Sequence, residues 1–179
     1  LALLSGRFGT DVGRQQMVDM TCRLQAVSAC LEGLSKVSIA EIGGAAMGGG
    51  FELALACDLR TVANTAKVGL PEARLGLLPG AGGTQRLTRL CGEGTSRRLI
   101  LGAEVVGGVQ AVALGLAHWV APAAELETLT RSVAAPISDL PAAALSGSLS
   151  LAERQLLEVV KALLAEPKVL LLDEPTTAL

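Results

Sequence analysis

Aromatic residues are nearly absent from the sequence, which has no tyrosine, two phenylalanines and one tryptophan in 179 residues. Proteins that hold single-stranded nucleic acid commonly stack bases on aromatic side chains, and a net charge of −2 offers no basic surface to a polyanion. We therefore predict no nucleic-acid partner. Half of the residues are hydrophobic, so a core must be packed mainly from alanine, leucine, valine and glycine. The length suits one domain.

Metal-ligating and nucleophilic motifs are also scarce. His118 is the only histidine, and no serine or cysteine nucleophile motif accompanies it, which argues against a metal site and against a hydrolytic triad. The cysteines show no CxxC spacing, and we predict small buried thiols in a reducing compartment. They are Cys22, Cys30, Cys57 and Cys91. With no signal-peptide pattern visible, this predicts a cytoplasmic protein.

Two further classes lack their defining patterns. A nucleotide-binding P-loop needs Gly-Lys-Ser/Thr, and each of the four lysines is followed by valine or alanine. Residues 105–124 carry no charge and are long enough to cross a bilayer, but their glycines and polar residues weaken insertion. We predict instead a helix at residues 109–114, a short strand at 117–120 and no membrane span.

Glycine is abundant, with 21 residues, and much of it lies in two turns within residues 36–92. The apolar, β-branched run at residues 37–42 predicts a strand, the glycines after it a turn, and residues 51–57 a helix. This arrangement leaves free backbone N–H groups before the helix, and glycine lets a ligand approach them. We therefore expect a ligand site at the start of this helix.

Two glutamates, twenty positions apart, are a candidate acid–base pair. Glu52 lies in the first turn of the predicted helix, where the macrodipole favours an ionised carboxylate. Glu72 follows Pro71, whose fixed φ predicts a rigid loop or the start of a short helix. Carboxyl groups in different environments can divide base and acid duties, whereas isolated glutamates are usually solvated surface residues. The pair alone leaves both interpretations open.

Three ordered blocks in the same region resemble the enoyl-CoA hydratase (crotonase) family. They are GGGFELALACD at residues 48–58, LPEARLG at 70–76 and LPGAGGTQRL at 78–87. The resemblance runs from about Thr10 to about Ala144. It implies an α/β fold with a truncated crotonase-like ββα spiral core. It also implies that Glu52 and Glu72 are the catalytic pair and that Gly49 supplies an oxyanion-hole N–H.

The same resemblance implies a lyase of fatty acid metabolism, adding water across the 2,3 double bond of a 2-enoyl-CoA thioester. Glu52 would draw a proton from water as it adds at C3, and Glu72 would deliver one to C2. Coenzyme A would then belong to the substrate, with no other cofactor. A related isomerase reaction, or an inert chain, stays open. The family also implies a homotrimer or hexamer.

Three further features carry open interpretations. Thr10, in Gly9-Thr10-Asp11, is similar to the family's donor of a second oxyanion N–H, although a plain polar turn explains it as well. A run of four arginines either meets the phosphates of coenzyme A or forms a solvated helix face; it comprises Arg86, Arg89, Arg97 and Arg98. Residues 14–34 predict a helix with apolar core positions, namely Met17, Met20, Leu24, Val27, Leu31 and Leu34.

A second resemblance covers about residues 148–179. LSLAERQ at 149–155 resembles the signature motif of ABC-transporter ATPases, and LLLDE at 170–174 resembles their Walker B motif. It implies a nucleotide-related remnant, namely Ser150, Gln155, Asp173 and Glu174. In that family the residue that matches Asp173 holds Mg²⁺ through water, and the residue that matches Glu174 activates the attacking water. Without a P-loop we predict no ATP hydrolysis.

The two resemblances together predict a chimeric or fragmentary gene product, or a misassembled reading frame. Residues 1–145 would form an incomplete crotonase-like acyl-CoA domain, and residues 146–179 an ABC ATPase-like fragment too short to fold alone. From the residues themselves we expect an amphipathic helix beginning at Leu149 and a buried parallel strand at residues 169–172. This helix and strand would replace the closing helices that in the family usually help to cover coenzyme A.

Overall fold

The computed structural model describes residues 10–34, 37–138 and 170–173. In chain order the strands are β1 (Ser38–Ile42), β2 (Ala45–Met47), β3 (Leu59–Ala63), β4 (Lys67–Gly69), β5 (Val105–Gly107), β6 (Trp119–Ala121) and β7 (Leu170–Asp173). The α-helices are α1 (Asp11–Glu32), α2 (Gly49–Ala56), α3 (Gly83–Leu101), α4 (Gly108–Ala113) and α5 (Leu126–Ser138). Two short 3₁₀ helices occupy Pro71–Leu75 and Ala123–Glu125.

The strands form two sheets. One is parallel throughout, in the order β6-β3-β1-β7, and the other has the order β2-β4-β5, with β5 antiparallel to β4. β1 lies inside the parallel sheet, and four of its five residues are buried, which explains its near-continuous apolar sequence. Because β1 and β2 belong to different sheets, the chain passes from one sheet to the other just before α2.

Helix α2 is almost entirely buried, between α1 and α3. Its apolar side chains Phe51, Ala54 and Leu55 belong to the main core, together with β-strand residues such as Ile42 and Val62. A helix that packs on several sides keeps a fixed position, since neighbouring interior side chains leave little free volume. The residues at its first turn are therefore held rigidly relative to the sheets.

A buried arginine ties the end of α2 to the parallel sheet. Arg60 in β3 is only 1% exposed, and its Nη1 donates to Ala54 O at 3.1 Å and Cys57 O at 2.7 Å. Its Nε donates to Leu116 O at 2.9 Å. A cation is favourable at the carboxyl end of a helix, although burial lowers the pKa of the Arg60 guanidinium.

Several predicted elements are confirmed. Residues 105–124 form β5, α4 and β6 before the second 3₁₀ helix, and among the described residues no helix combines the length and apolar character needed to cross a membrane. His118 directly precedes β6, beside Trp119. Its Nδ1 accepts a hydrogen bond from Arg60 N at 3.0 Å. The imidazole ring therefore binds to the backbone of β3, next to the start of β6. β7 pairs in parallel with β1, as expected for the last apolar run.

Three expectations were wrong. The first glycine turn also contains a strand, β2. This strand has only 3 residues, too few for an alternating apolar pattern to indicate it. The predicted inner face of α1 is wrong for Met20, Val27 and Leu34, which are exposed, and Thr21 and Ser28 turn inward instead. The other predicted core positions are half-buried, namely Met17, Leu24 and Leu31. The thiols are not all buried, since Cys22 and Cys30 on α1 are exposed; Cys57 is buried and Cys91 half-buried.

Candidate active site

The first turn of α2 presents a backbone donor. Gly48, just before the helix, has φ 56° and ψ −127°, a conformation that favours glycine. Its carbonyl accepts the first helical hydrogen bond, from Glu52 N at 2.9 Å, and its N–H donates to Gly69 O at 3.0 Å. Gly49 opens the helix, so its N–H has no acceptor within the helix. This is the N–H that the resemblance assigns to an oxyanion hole.

Glu52 is fixed from the other side by the second glycine turn. Its side chain is buried, at 2% exposure. Oε1 accepts hydrogen bonds from Ala81 N and Gly83 N, both at 2.8 Å. Gly83 makes this close approach possible, because a Cβ there would lie 2.8 Å from Glu52 Cγ. Residues 80–83, which we name the glycine loop, thus orient one carboxylate oxygen with two backbone donors.

Glu72 lies in the 3₁₀ helix Pro71–Leu75, as predicted for a rigid short-helix start. Its Oε1 faces Gly48 closely: a Cβ on that glycine would lie 3.0 Å away. Its Oε2 is buried and has no hydrogen-bond partner among the described residues. Burial is the largest cause that raises the pKa of Glu72, its backbone hydrogen bond opposes the rise, and the nearby Glu52 carboxylate adds to it.

The two glutamates therefore occupy different environments around the start of α2. Glu52 is held by two N–H donors, an arrangement that suits a carboxylate. Glu72 has a raised pKa and an unpartnered buried oxygen, an arrangement that suits a proton-carrying carboxyl. The structure thus brings the predicted pair together, with the Gly49 N–H in the same turn. Such a pair can accept a proton at one position and deliver one at the other.

The raised pKa of Glu72 predicts how the stability of the fold depends on pH. The folded state binds the Glu72 proton more tightly than the unfolded state, so this stabilisation is complete below the ordinary pKa of 4.5 and is lost as the pH rises through the raised value. Glutamine stays neutral throughout. We therefore expect Glu72→Gln to raise the melting temperature relative to wild type near about pH 7, and to raise it less near about pH 4.

Thermal unfolding followed by circular dichroism at both pH values checks this expectation. Glu125→Gln serves as the matched control, because Glu125 is exposed, and its effect should be small at both pH values. A melting-temperature difference for Glu72→Gln that stays constant with pH, or grows on acidification, would contradict the assignment of a raised pKa.

Thr10 has a structural role at the start of α1. Its Oγ1 accepts a hydrogen bond from Gly13 N at 3.1 Å, and its carbonyl accepts one from Arg14 N at 3.0 Å. These are the bonds of a helix N-cap, which replaces the interpretation as a plain polar turn. A second oxyanion donor at Thr10 stays a prediction.

The four arginines of the run differ in their surroundings, and Arg89 is exposed. Arg97 and Arg98 form ion pairs with Glu93 and Glu104, in which the arginines are at least half exposed, consistent with a solvated helix face. Arg86 differs, because its side chain is 13% exposed and pairs with Glu32 at 2.7 Å. Sequence reasoning missed this pair, since 54 positions separate its members and no local pattern connects them.

The remaining predicted positions lie at or beyond the edge of the described residues. Ser150, Gln155 and Glu174 are outside them, as is the helix expected from Leu149. Asp173 ends β7, where its backbone stands opposite Glu41 of β1. Within the described part of the chain, no group of three or more histidine, cysteine or acidic side chains could hold a metal ion.

A sequence model of the family described as enoyl-CoA hydratase/isomerase matches residues 11–165. The chain belongs to this family. A crotonyl-CoA hydratase of Syntrophomonas wolfei is 42% identical over 113 residues, which cover 63% of this chain and 44% of that protein. The rat mitochondrial methylglutaconyl-CoA hydratase is 48% identical over 94 residues, covering 52% of this chain and 30% of the relative.

Solved structures of enoyl-CoA hydratase/isomerase relatives share the fold. The enoyl-CoA hydratase of Bacillus anthracis aligns with a TM-score of 0.72 at 32% identity, covering 87% of this chain and 63% of that one. An enoyl-CoA hydratase from Geobacillus kaustophilus gives 0.68 at 35% identity, covering 72% and 48%. The predicted crotonase-like α/β fold is confirmed at this level.

The chain spans less than half the length of the first curated relatives it matches, at 47%, 44% and 42%. The family match also runs to residue 165, so it enters the segment that resembles an ABC ATPase. That second resemblance, the division at residues 145 and 146, and a chimeric origin stay predictions.

Proposed function

We propose that this chain is an enoyl-CoA hydratase, adding water across the 2,3 double bond of a 2-enoyl-CoA thioester. The observation that carries the proposal is the unlike pair of carboxyl groups beside the start of α2. Glu52 is fixed by two N–H donors, and Glu72 has a raised pKa. A base and an acid are both needed when water adds to a double bond, and the two environments support Glu52 as the base and Glu72 as the acid.

The proposed chemistry follows from these groups. Glu52 takes a proton from water as the water oxygen forms its bond to C3. The π electrons of the double bond move toward the thioester carbonyl, and Glu72 gives its proton to C2, leaving a 3-hydroxyacyl-CoA. The Gly49 N–H, with Thr10 as the predicted second donor, stabilises charge that develops on the thioester oxygen; losing one such donor typically costs roughly 3–4 kcal/mol.

The substrate supplies coenzyme A, and the proposal requires no other cofactor. Isomerisation of a 3-enoyl-CoA is the second candidate, because the family and the Bacillus subtilis relative YngF are both described as hydratase/isomerase. Isomerisation needs only one proton shuttled between two carbons, whereas this site holds two unlike carboxyl groups. The site therefore favours hydration. A homotrimer or hexamer and a cytoplasmic location stay predictions.

A direct comparison of substrates tests the proposal. The full chain is incubated with crotonyl-CoA and, separately, with a 3-enoyl-CoA, and products are separated by chromatography with mass detection. We expect 3-hydroxybutyryl-CoA from the first and little conversion of the second. The control variant Glu125→Gln should behave as wild type. A folded chain that isomerises the 3-enoyl thioester but hydrates nothing would replace the proposal with its alternative, and one that does neither would refute both.

A further inference from the structure

The glycine loop is held on both sides. The amides of Ala81 and Gly83 donate to Glu52 Oε1, as described above. On the opposite side, Gln25 Nε2 of α1 donates to Gly80 O at 2.7 Å, and Arg86 N of α3 donates to Gly82 O at 3.1 Å. The loop is therefore clamped between a buried carboxylate and two helices.

The contacts on the two sides of the glycine loop are made by the same peptide groups, which are rigid. A carbonyl and the N–H that follows it belong to one planar peptide, and in a trans peptide they point in opposite directions; the described residues contain no cis peptide bond. Gly80 O and Ala81 N–H share one such plane, and Gly82 O and Gly83 N–H share another. Each N–H that orients Glu52 is thus the far end of a peptide whose carbonyl is held elsewhere.

Arg86 holds the peptide between these two. Its Nη1 donates to Ala81 O at 2.6 Å. The guanidinium is itself fixed by a two-bond fork to the Glu32 carboxylate, with Nε to Oε1 at 2.8 Å and Nη2 to Oε2 at 2.7 Å. Planar forks of this kind fix direction as well as distance. The hydrogen bond to Arg86 is the largest cause that lowers the pKa of Glu32, so the pair stays charged.

Two of these supporting residues, Gln25 and Glu32, belong to a polar stripe on α1. Its positions follow helical spacing along one face, and they are Thr21, Gln25, Ser28 and Glu32. Thr21 approaches the loop closely, since a Cβ on Gly80 would lie 3.3 Å from its Cγ2. Ser28 is fully buried in the same stripe. Thr21 and Ser28 are the inward members of the stripe, whereas Gln25 and Glu32 lie at its exposed edge.

We propose that Gln25 and the Glu32–Arg86 ion pair are positioning residues for Glu52. Their side chains fix the first two peptide planes of the glycine loop, and the backbone N–H of Arg86 holds the third. The loop amides in turn aim the carboxylate at the reacting water. This inference rests on the proposed hydratase function for its consequence in catalysis, whereas the clamp itself is independent of the reaction. None of the three side chains hydrogen-bonds to Glu52, so their hydrogen bonds act on it through the loop. The hydrogen bond to Glu32 is the largest cause that raises the pKa of Arg86, and the attraction between the Arg86 charge and the Glu52 carboxylate adds to the rise.

Steady-state kinetics with crotonyl-CoA test the catalytic consequence. Arg86→Met, Glu32→Gln and Gln25→Met should each lower kcat, by as much as about 100-fold, because a small displacement of a catalytic group costs this much. KM should stay within about twofold, since none of these substitutions removes a contact that binds the substrate. Arg86→Lys keeps the charge without the fork and should restore part of the loss. A raised KM at unchanged kcat would overturn the proposal in favour of a substrate-phosphate contact at Arg86.

A matched pair controls for loss of an arginine–glutamate contact in general. Glu127 and Arg131 on α5 form an exposed ion pair, with side chains 69% and 67% exposed. Glu127→Gln and Arg131→Met should leave kcat at the wild-type value. A comparable fall in these controls would show that the effect is not specific to the glycine loop, and would count against positioning.

A double variant separates positioning from general damage. In the Glu52→Gln background the base is gone, so adding Arg86→Met should cause no further fall in kcat, as expected for groups that act through one another. A further fall as large as in the wild-type background would mean that Arg86 acts independently of Glu52. That result would overturn the inference.

Amide hydrogen exchange tests the clamp without any substrate. In wild type the Ala81 and Gly83 amides should be protected, and Arg86→Met or Gln25→Met should speed their exchange at least about tenfold while β1 amides are unaffected, since exchange reports local opening. Unchanged exchange at both amides would overturn the proposal. If the wild-type chain fails to hydrate crotonyl-CoA, the proposed function falls, and the exchange result still decides the clamp.

Discussion

Glu52→Gln and Glu72→Gln are each expected to lower kcat for crotonyl-CoA hydration by about 10²- to 10⁴-fold, the usual contribution of a general acid or base. Glutamine has nearly the same shape as glutamate. At position 52 its amide oxygen can still accept from Ala81 N and Gly83 N, so the loop geometry is kept while the proton acceptor is lost. At position 72 it removes the proton donor and leaves the contact with Gly48.

Initial rates followed by the loss of absorbance of the conjugated thioester measure this effect. The double variant should lose far less than the product of the single losses, because residues that act as a unit are not additive. Circular dichroism establishes that each variant is folded, and Glu125→Gln controls for removal of a carboxylate elsewhere. If a folded variant of either glutamate kept activity within about threefold of wild type, the acid–base pair would be discarded.

The parts of this site that local sequence patterns encode were predictable. Gly48 and Glu52 lie four residues apart in one strand–turn–helix unit, and Pro71 fixes the start of the short helix that carries Glu72. Backbone conformation there is set by residues adjacent in sequence. A parallel strand at β7 was foreseeable for a similar reason, since an uninterrupted apolar run is typical of a buried parallel strand. Its pairing with β1 is a long-range contact that no local pattern indicated.

Features set by distant contacts were not predictable. The spacing of apolar residues in α1 allowed two overlapping faces. The face that packs inward contains Ser28, which is buried, and Thr21, which approaches Gly80 of the glycine loop. Cys22 and Cys30 are exposed as a direct consequence. Likewise, the Glu32–Arg86 fork joins helices far apart in the chain. A periodic pattern indicates that a helix has an inner face, but the packing partner decides which face that is.

Arg60 is the clearest case of a residue whose role depends on distant contacts, and Arg60→Met is expected to lower the free energy of unfolding by about 3 kcal/mol or more. The substitution leaves Cys57 O and Leu116 O without the donor that Arg60 provides. A buried polar group without its partner costs about 1–3 kcal/mol, and the shorter side chain adds a packing loss. Ala54 O is affected less, because it also accepts from Cys57 N.

An opposing effect must be weighed, since removing a buried cation also removes the cost of burying its charge. Replacing both members of a buried ion pair by apolar groups is often neutral for this reason. Here the partners are backbone carbonyls, which no substitution removes, so their unmet hydrogen bonds persist and the destabilisation outweighs the relief. On a typical total stability of about 5–15 kcal/mol, this loss would leave α2, and with it Glu52, poorly held.

Urea unfolding of the purified variants measures the change. Arg60→Lys keeps a cation but not the planar fork. Its free energy of unfolding should therefore lie between that of wild type and that of Arg60→Met. Arg131→Met removes an exposed arginine and should change stability by less than about 0.5 kcal/mol. A loss below about 1 kcal/mol for Arg60→Met would mean that relief of the buried charge offsets the unmet carbonyls. Arg60 would then not be what ties the carboxyl end of α2 to the sheet.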